Sequence, residues 1–510
     1  LRWVVGMMVR ANMRHLPPLA RDGLPLALVL AVSAALRLIS LNYSHFQGDE
    51  ISALYPVGVP FPTSVLEQQK GPVQLLATLA VRLLAGRYGE WETRLPFSLA
   101  SILGVYVVYL MARDAFGRRP ALWAAALTGS CGLLVAFGRI VQYQAFVMLA
   151  VLLTTRFLLL WVRKDEPHLL YLGLAAFAVG VLSHYDSLTF LPALLLMLAL
   201  GFRRRELWTR PRVAHLALAG LLAAAMVGAF YVPYVFRPGF TSVTGYLRGR
   251  VASGLGWDTF VRTRQLLDLY FPPLYLPAVA GLAAVGAARA LGKAARPEGL
   301  VIITWFAVPF GFYMLLGGQP RSHVYMYVLP ALVLAGLGID TILSRLKPGL
   351  WSLGGQAVMA SVLIAFTAIC YYMLVDHTVE HPWEKKTIFG YELPNLVRAR
   401  VQGVFGFPYR RGLDQVGEMF RSGRLLGTFD SNERDSTTAF YFGAPRSSPP
   451  LTYFDDPGSV APDYYFYVLR PFSLRRDLPE TVKNTYRRIG SVMEGGRTTI
   501  EIYAAPWMAP

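Results

Sequence analysis

Cysteine is nearly absent: two occur in 510 residues, and both, Cys131 and Cys370, lie inside apolar runs. That excludes a disulfide framework and a thiolate zinc site, and leaves the redox compartment open. Charged residues are also scarce, at 16%. The eight histidines form no HExxH pair, and no Gly-rich phosphate loop occurs, so no motif of a soluble enzyme competes for the assignment. What the chain has in excess is apolar sequence, 54% of its residues with a mean hydropathy of +0.41. Runs of membrane-spanning length recur, which is the mark of an α-helical polytopic membrane protein. A net charge of +18 raises nucleic acid as a partner. The basic residues, however, cluster in short connections between apolar runs, where lipid headgroups and the positive-inside bias account for them, so no nucleic acid is expected.

With roughly 20 residues per span, and shorter spans where protein surrounds them, about eleven transmembrane helices are expected. They fall near residues 24–41, 95–112, 120–137, 143–162, 169–183, 187–202, 213–235, 272–291, 299–317, 324–343 and 353–375. The first follows Arg10, Arg14 and Arg21, lacks a small-residue cleavage site, and reads as a signal anchor. The run Gly71–Gly86 is apolar but short and carries Arg82. Five basic connections settle its status: Ala112–Pro120, Arg163–Pro167, Arg203–Arg212, the group Arg289, Lys293 and Arg296, and Ser344–Gly349. All join the basic N-terminus on the cytoplasmic side only if Gly71–Gly86 lies at the interface instead of crossing.

The opposite set of connections collects the unusual polar groups: "HFQGDE" (His45–Glu50), "EQQKGP" (Glu67–Pro72), "GRIVQYQ" (Gly138–Gln144), "SHYDS" (Ser183–Ser187), Arg237–Tyr270, and "GGQPRSHVYMY" (Gly317–Tyr327). The midplanes hold hardly any ionisable residue; Arg156, Asp340 and Arg37 all sit near span ends. An ion-coupled transporter needs titratable groups near the bilayer centre and often two related halves, and neither is seen. Chemistry gathered at an interface suits an enzyme acting on a lipid headgroup whose tail stays in the membrane.

Two domains are expected: residues 1–375, with a first outer loop at 42–94 and its interfacial helix at 71–86, and a soluble extracytoplasmic domain at 376–510. In the latter, Arg424–Asp430, Leu451–Phe454, Tyr464–Arg470 and Thr498–Ala505 read as strands, and Ser436–Gly443 and Leu478–Gly490 as helices. That alternation predicts a small α/β domain.

The candidate residues each have a structural and a chemical reading. Asp49 and Glu50 are either a loop pair with Asp49 capping a helix at "EISALY", or a general base, with or without a metal, aimed at a hydroxyl. Lys70 either snorkels to headgroups or holds an anion where Gly71-Pro72 opens an apolar helix. Arg139, Gln142 and Gln144 stand between two spans, and the amides suit sugar hydroxyls or simple helix-end capping. His184 and Asp186 bridge two spans in a minimal turn, either fixing it or serving catalysis. Arg321, His323 and Tyr325 offer a charged fork and further donors for a phosphate, or an anchor to headgroups.

The run Gly89–Phe146 resembles the core of bacterial family 39 glycosyltransferases, related to protein O-mannosyltransferases and aminoarabinose transferases of the GT-C fold. The resemblance rests on "RLP" at Arg94–Pro96, "FGRR" at Phe116–Arg119, Arg139 after its span, the acidic pair in the first outer loop, and "KGP" before the interfacial helix. It covers roughly Leu24 to Asp340. It implies a transferase using a polyprenyl-phosphate-linked sugar donor and an acceptor protein, lipid or glycan, with an inverting displacement at the extracytoplasmic face of a bacterial plasma membrane. Asp49 then becomes the base or metal-binding carboxylate, Glu50 its partner, and Lys70, Arg321 and His323 contacts to the phosphate. Where many relatives carry an Asp after the post-span Arg, this chain has Gln144. No cofactor is implied beyond a divalent metal, with Asp49 and Glu50 as its ligands. A polyprenyl-lipid flippase and an oligosaccharide ligase of the same fold class are the alternatives.

Overall fold

The apolar runs all become helices. The computed structural model describes residues 18–68, 70–203, 209–251, 257–272, 274–292, 296–316, 321–347, 349–388, 390–396, 404–445, 461–472 and 477–508. The chain packs as two compact units, Leu1–Leu41 with Tyr55–Phe407, and Asn42–Leu54 with Pro408–Pro510.

In chain order the helices begin with α1 (Pro18–Leu38), α2 (Gly48–Ile51, part of the second unit), α3 (Phe61–Leu66) and α4 (Val73–Ala85). The long α5 (Glu90–Phe116) follows, then α6 (Arg118–Ser130), α7 (Gly132–Gly138), α8 (Gln144–Lys164), α9 (Pro167–Ser183) and α10 (Leu191–Gly201). Next come α11 (Arg210–Val235), α12 (Pro238–Val251), α13 (Trp257–Tyr270), α14 (Tyr275–Leu291), α15 (Pro297–Gly311), α16 (Tyr325–Leu343) and α17 (Leu350–Leu374). The stretch Arg237–Tyr270, expected as a loop, thus carries α12 and α13.

Among the described residues, six helices are long and apolar enough to cross a membrane, and eight are if each of two bent pairs counts as one span. One such pair is α6 with α7, bent by 63°. The other expected spans are present as shorter apolar helices, at Gly23–Leu38, Pro167–Ser183 and Tyr185–Gly201. The chain is therefore an integral membrane protein.

Burial sorts these helices. The spanning window of α16 is 83% buried, so it forms the core, whereas those of α11 and α17 are 11% and 17% buried and expose leucine, valine and isoleucine. Apolar side chains left outside the protein in a membrane helix face lipid. Helix α4 has 13 residues, about 20 Å at 1.5 Å per residue, short of a bilayer core of about 30 Å. It buries Gln74, Leu75, Thr78 and Val81 and exposes Leu76, Leu83 and Leu84.

At one end of the bundle, side chains tie the basic connections together. Arg163 Nε donates to Glu298 Oε1 at 2.7 Å and its Nη1 to the Asp114 carbonyl at 2.6 Å. Arg212 pairs with Asp165 at 2.8 Å, and Arg296 Nη1 donates to the Ala115 carbonyl at 3.0 Å. Four of the five basic connections expected on one side therefore share one end. A short hairpin, β1 (Thr387–Ile388) with β2 (Tyr391–Glu392), follows α17 in the same unit.

The second unit is a four-stranded sheet of order β3-β4-β6-β5, with β3 (Phe429–Ser431) parallel to β4 (Tyr464–Val468). The partners β5 (Arg487–Glu494) and β6 (Arg497–Ala504) complete it antiparallel. Helices α18 (Leu413–Arg421), α19 (Asp435–Phe442) and α20 (Glu480–Thr485) accompany it. Phe420, Phe429, Phe442 and Phe466 pack their rings together. The α/β character expected of this region holds, with two corrections: the strand read over Arg424–Asp430 is confined to Phe429–Ser431, and the helix read over Leu478–Gly490 stops at Thr485, with strand from Arg487 onward. Gly495 and Gly496, at φ of 57° and 77°, form the two-residue turn that folds β5 back on β6. The strand read at Leu451–Phe454 lies outside the described residues.

Candidate functional site

The segment Asn42–Leu54 takes its form within the second unit. Ser44 makes a parallel bridge with Tyr409, the His45 N–H donates to the Tyr409 carbonyl at 3.2 Å, and the Phe46 N–H donates to the Tyr441 hydroxyl at 2.7 Å. His45 Nδ1 accepts the Arg411 N–H at 3.2 Å, which leaves Nε2 to donate to Asp414 Oδ1 at 3.1 Å. The loop then turns into α2, capped at Gln47. Glu50, at the third helical position, accepts the Gln47 N–H on Oε2 at 3.1 Å and is fully buried. Asp49, one residue earlier, is only partly buried. The adjacent carboxylates thus divide: one holds the start of a helix and the other stays accessible.

In the helical unit, three arginines organise the end of α1. Arg139 Nη1 donates to the carbonyls of Leu36 at 2.8 Å and Ile39 at 2.9 Å, and Nη2 to that of Ser40 at 3.0 Å. Arg94, of the "RLP" motif, donates to the Leu41 carbonyl at 3.1 Å. Arg37 turns back to Ser101 Oγ at 2.8 Å and the Gly129 carbonyl at 2.8 Å. The last carbonyls of a helix have no partner within it, so a buried guanidinium there serves as a cap. Two motif arginines thereby fix the exit of α1.

The cluster of interest sits where α4, α8, α9 and α16 begin or end. The "KGP" turn packs directly on the end of α9: Gly71 has φ 111°, and a Cβ there would lie 2.3 Å from the Leu182 carbonyl oxygen. Only glycine allows that approach. It brings Lys70 Nζ to 5.7 Å from the centre of the Tyr143 ring. Tyr143 stacks flat on His184, with centroids 3.7 Å apart and planes 8° apart. His184 is extended (φ −168°, ψ 148°), ends α9, and lies 3.1 Å from the Asp186 N–H through Nδ1.

Asp186, 1% exposed, is the hub. Its Oδ1 accepts the Tyr313 hydroxyl at 2.9 Å and lies 3.1 Å from His184 Nδ1. Its Oδ2 accepts the Tyr325 hydroxyl at 2.9 Å and lies 2.7 Å from His323 Nδ1. Tyr313 stacks in turn on His323, 5.5 Å apart at 9°. A π-helical turn over Phe312–Leu316 delivers Tyr313, a device common where a helix must re-aim a side chain.

Gln142 and Gln144 flank Tyr143 and are buried, with Gln144 Nε2 donating to Gln142 Oε1 at 2.9 Å. The other atoms of the pair, Gln142 Nε2 and Gln144 Oε1, have no hydrogen-bond partner among the described residues. A buried donor beside a buried acceptor suits a hydroxylated ligand or water.

The structure therefore gathers Lys70, His184, Asp186, His323 and Tyr325 of the expected residues, with Gln142 and Gln144 on the turn that carries Tyr143. Arg139 is committed to main-chain carbonyls. Arg321 opens the 3-10 turn Arg321–Val324, and its side chain is outside the described residues. Asp49 and Glu50 belong to the other unit. Sequence reasoning missed Tyr143 and Tyr313. Tyr143 could have been found as the aromatic between two amides at a span end, whereas Tyr313 stands in an apolar run with no local signal.

In the same unit, α13 to α16 line an open apolar cavity of about 1020 Å³. Met314 and Tyr327 line it, each one or two residues from Tyr313 and Tyr325. Arg264 and Asp268 are the charged residues in its wall.

The model of the family described as dolichyl-phosphate-mannose-protein mannosyltransferase matches residues 69–231, a segment that holds Lys70, Arg139, Gln142, Gln144, His184 and Asp186. Among solved structures, the chain is similar to ArnT from Cupriavidus metallidurans bound to undecaprenyl phosphate. The TM-score is 0.55 at 16% identity, over 95% of this chain and 99% of that one. Against the apo state of the same protein the TM-score is 0.51 at 16% identity, over 94% and 97%. No curated protein matches the chain. The expected resemblance and the GT-C fold both stand.

Proposed function

We propose that the chain is a membrane glycosyltransferase that moves a sugar from a polyprenyl-phosphate donor to an acceptor hydroxyl at the extracytoplasmic face of a bacterial plasma membrane. The observation that carries this reading is the gathering of Lys70, His184, Asp186 and His323 at the span ends, in a unit whose helices α13 to α16 also line a large apolar cavity. A polyprenyl tail needs about that kind of apolar volume, and its phosphate needs a cation. The donor assignment is supported by the mannosyltransferase family match and by a similar structure solved with undecaprenyl phosphate.

The acceptor oxygen attacks the anomeric carbon as its proton passes to Asp49. The carbon–oxygen bond to phosphate breaks on the opposite side, and polyprenyl phosphate leaves with the bonding electrons. Direct displacement inverts the anomeric centre. Lys70 stabilises the charge that develops on the phosphate, a contribution of about 3 kcal/mol for a preorganised contact. Gln142 and Gln144 bind sugar hydroxyls, and Arg321 and His323 join the phosphate contact.

The test is Asp49→Asn assayed in membranes with a polyprenyl-phospho-sugar. The variant is expected to fold normally and to lose transfer by at least about a hundredfold. Near-normal transfer removes Asp49 as the base. A chain that only moves the lipid across the membrane would keep its activity in this variant.

A further inference from the structure

In the second unit, Arg434 is half-buried and its guanidinium lies over the Phe472 ring, 4.5 Å from the centre. Among the described residues that guanidinium has no hydrogen bond or ion pair. The buried Glu433 beside it is already engaged: Oε1 accepts the Arg434 backbone N–H at 2.8 Å, and Oε2 accepts the Tyr409 hydroxyl and the Phe472 N–H. Asp435, the other neighbouring carboxylate, is exposed. A guanidinium resting on an aromatic ring uses its face, which leaves its N–H edge for a planar anion.

The place of this cation gives it a use. A Cβ at Gly48 would lie 2.7 Å from Ser436 Oγ and 3.7 Å from Arg434 Nη1, so the first turn of α2, which carries Asp49, lies directly against the start of α19. Ser436 is exposed, and among the described residues its hydroxyl has no partner. One turn further on the same face of α19, Phe440 is 38% exposed, with its ring edge-on to Phe46 at 5.8 Å. A guanidinium, a hydroxyl and an exposed aromatic thus border the Asp49 segment, all within one unit.

We propose that Arg434 binds an anionic group of the acceptor, a phosphate or a carboxylate, and so sets the acceptor hydroxyl at Asp49, with Ser436 as a second donor and Phe440 as an apolar rest. The acceptor class is then one that carries an anion near the hydroxyl to be glycosylated. A charge-assisted contact from a weakly hydrated, half-buried fork suits that task better than a solvated lysine would. Arg434 does not touch the reacting atoms and acts as a positioning residue. Its role with the acceptor rests on the transferase reading above; binding of an anion there does not.

The experiment uses the full chain in phosphatidylcholine nanodiscs. Labelling of Arg434 by phenylglyoxal, read by peptide mass spectrometry, reports occupancy without turnover. Methyl phosphate and acetate are the soluble probes, and nanodiscs with added phosphatidic acid present the same monoester on a lipid. Saturating methyl phosphate or acetate is expected to slow labelling of Arg434 at least about fivefold. Arg421, paired with Glu418 on α18, should label at an unchanged rate. Ser436→Ala should weaken the protection by about two- to fivefold. In transfer assays Arg434→Gln should raise KM for an anionic acceptor at least about tenfold with kcat within about twofold, and Arg434→Lys should restore part of the loss. No protection by any probe, or equal slowing at Arg421, overturns the inference and leaves Arg434 as a packing partner of Phe472. Protection by phosphatidic acid alone also overturns it, in favour of an anchor to lipid headgroups, and so does a fall in kcat at unchanged KM. Protection in a chain that transfers no sugar counts against the transferase reading alone, and transfer without protection counts against this site alone.

Discussion

Replacing Arg139 by Ala separates two roles for a residue that the sequence offers as a substrate contact. Its guanidinium donates to three carbonyls at 2.8–3.0 Å, from Leu36, Ile39 and Ser40, and the side chain is fully buried. Hydrogen bonds to a charged group contribute about 1.5–3 kcal/mol each, and losing the donor also strands carbonyls at about 1–3 kcal/mol apiece. These terms overlap, and water refills part of the space, so a net loss of about 3 kcal/mol is expected. For a unit of this size that lowers the unfolding midpoint by roughly 4 °C. The assay is built into the chain: Cys131 and Cys370 are free and buried, so a thiol-reactive fluorophore reports unfolding as they become exposed. Arg139→Lys should recover little, because one ammonium cannot span three carbonyls. If Arg139→Ala keeps its midpoint within about 1 °C while donor binding falls, the capping account is wrong and the residue binds substrate.

Two further outcomes follow from particular atoms. Gly71→Ala places a methyl 2.3 Å from the Leu182 carbonyl oxygen at a φ of 111°, so it should cost at least about 2 kcal/mol and displace Lys70. In the same thiol assay Lys70→Ala should leave the midpoint unchanged while weakening donor binding, and a Gly71→Ala chain with normal midpoint and binding would refute the packing argument. In the second unit, the hydrogen bond from His45, aided by Arg410, holds the Asp414 carboxyl down to about 2. Its folded value lies below the unfolded one, so the stability it lends is present above about pH 4 and is lost as pH falls towards 2. Near-UV circular dichroism of wild type against Asp414→Asn should show that acid-sensitive step only in the wild type.

Much of the helical unit was legible because a membrane imposes one rule, a run of apolar residues for each span, that a sequence displays directly. The positive-inside pattern carried the arrangement further: Arg163, Arg212 and Arg296 meet their partners at one end, as the connections that hold them suggested. His184, Asp186, His323 and Tyr325 were each marked by being polar at a span end, although 137 residues separate Asp186 from His323. Their mutual contacts were not legible, because helix packing sets them. Tyr313 was invisible for a similar reason: tyrosine is unremarkable in an apolar run until a π-turn aims its hydroxyl. In the second unit the error over Arg487–Glu494 came from letting a Pro-Glu helix start run on to Gly490, when Gly495-Gly496 between two β-branched or aromatic stretches was the stronger signal. Nothing local announced that Asn42–Leu54 packs with residues 408–510, because that pairing is made by Tyr409, Arg411 and Tyr441, far along the chain.

The geometry also ranks the three carboxylates that the sequence put forward. A general base must be reached by the acceptor and must keep a lone pair for its proton. Asp186 is the poorer candidate: it is buried, and its two oxygens accept the hydroxyls of Tyr313 and Tyr325, with His323 Nδ1 2.7 Å from Oδ2. Glu50 is fully buried and holds the Gln47 N–H, so taking a proton there would loosen the start of α2. Asp49 is partly exposed and one residue away on that helix, which is itself held by His45, Phe46 and the residues of the second unit. Of the three, Asp49 is the one that is not fully buried, which supports the proposal that it is the base. Under the proposed transfer, Asp49→Asn should therefore abolish turnover while donor binding, which Lys70 supports, is kept; loss of donor binding in that variant would count against Asp49 as the base.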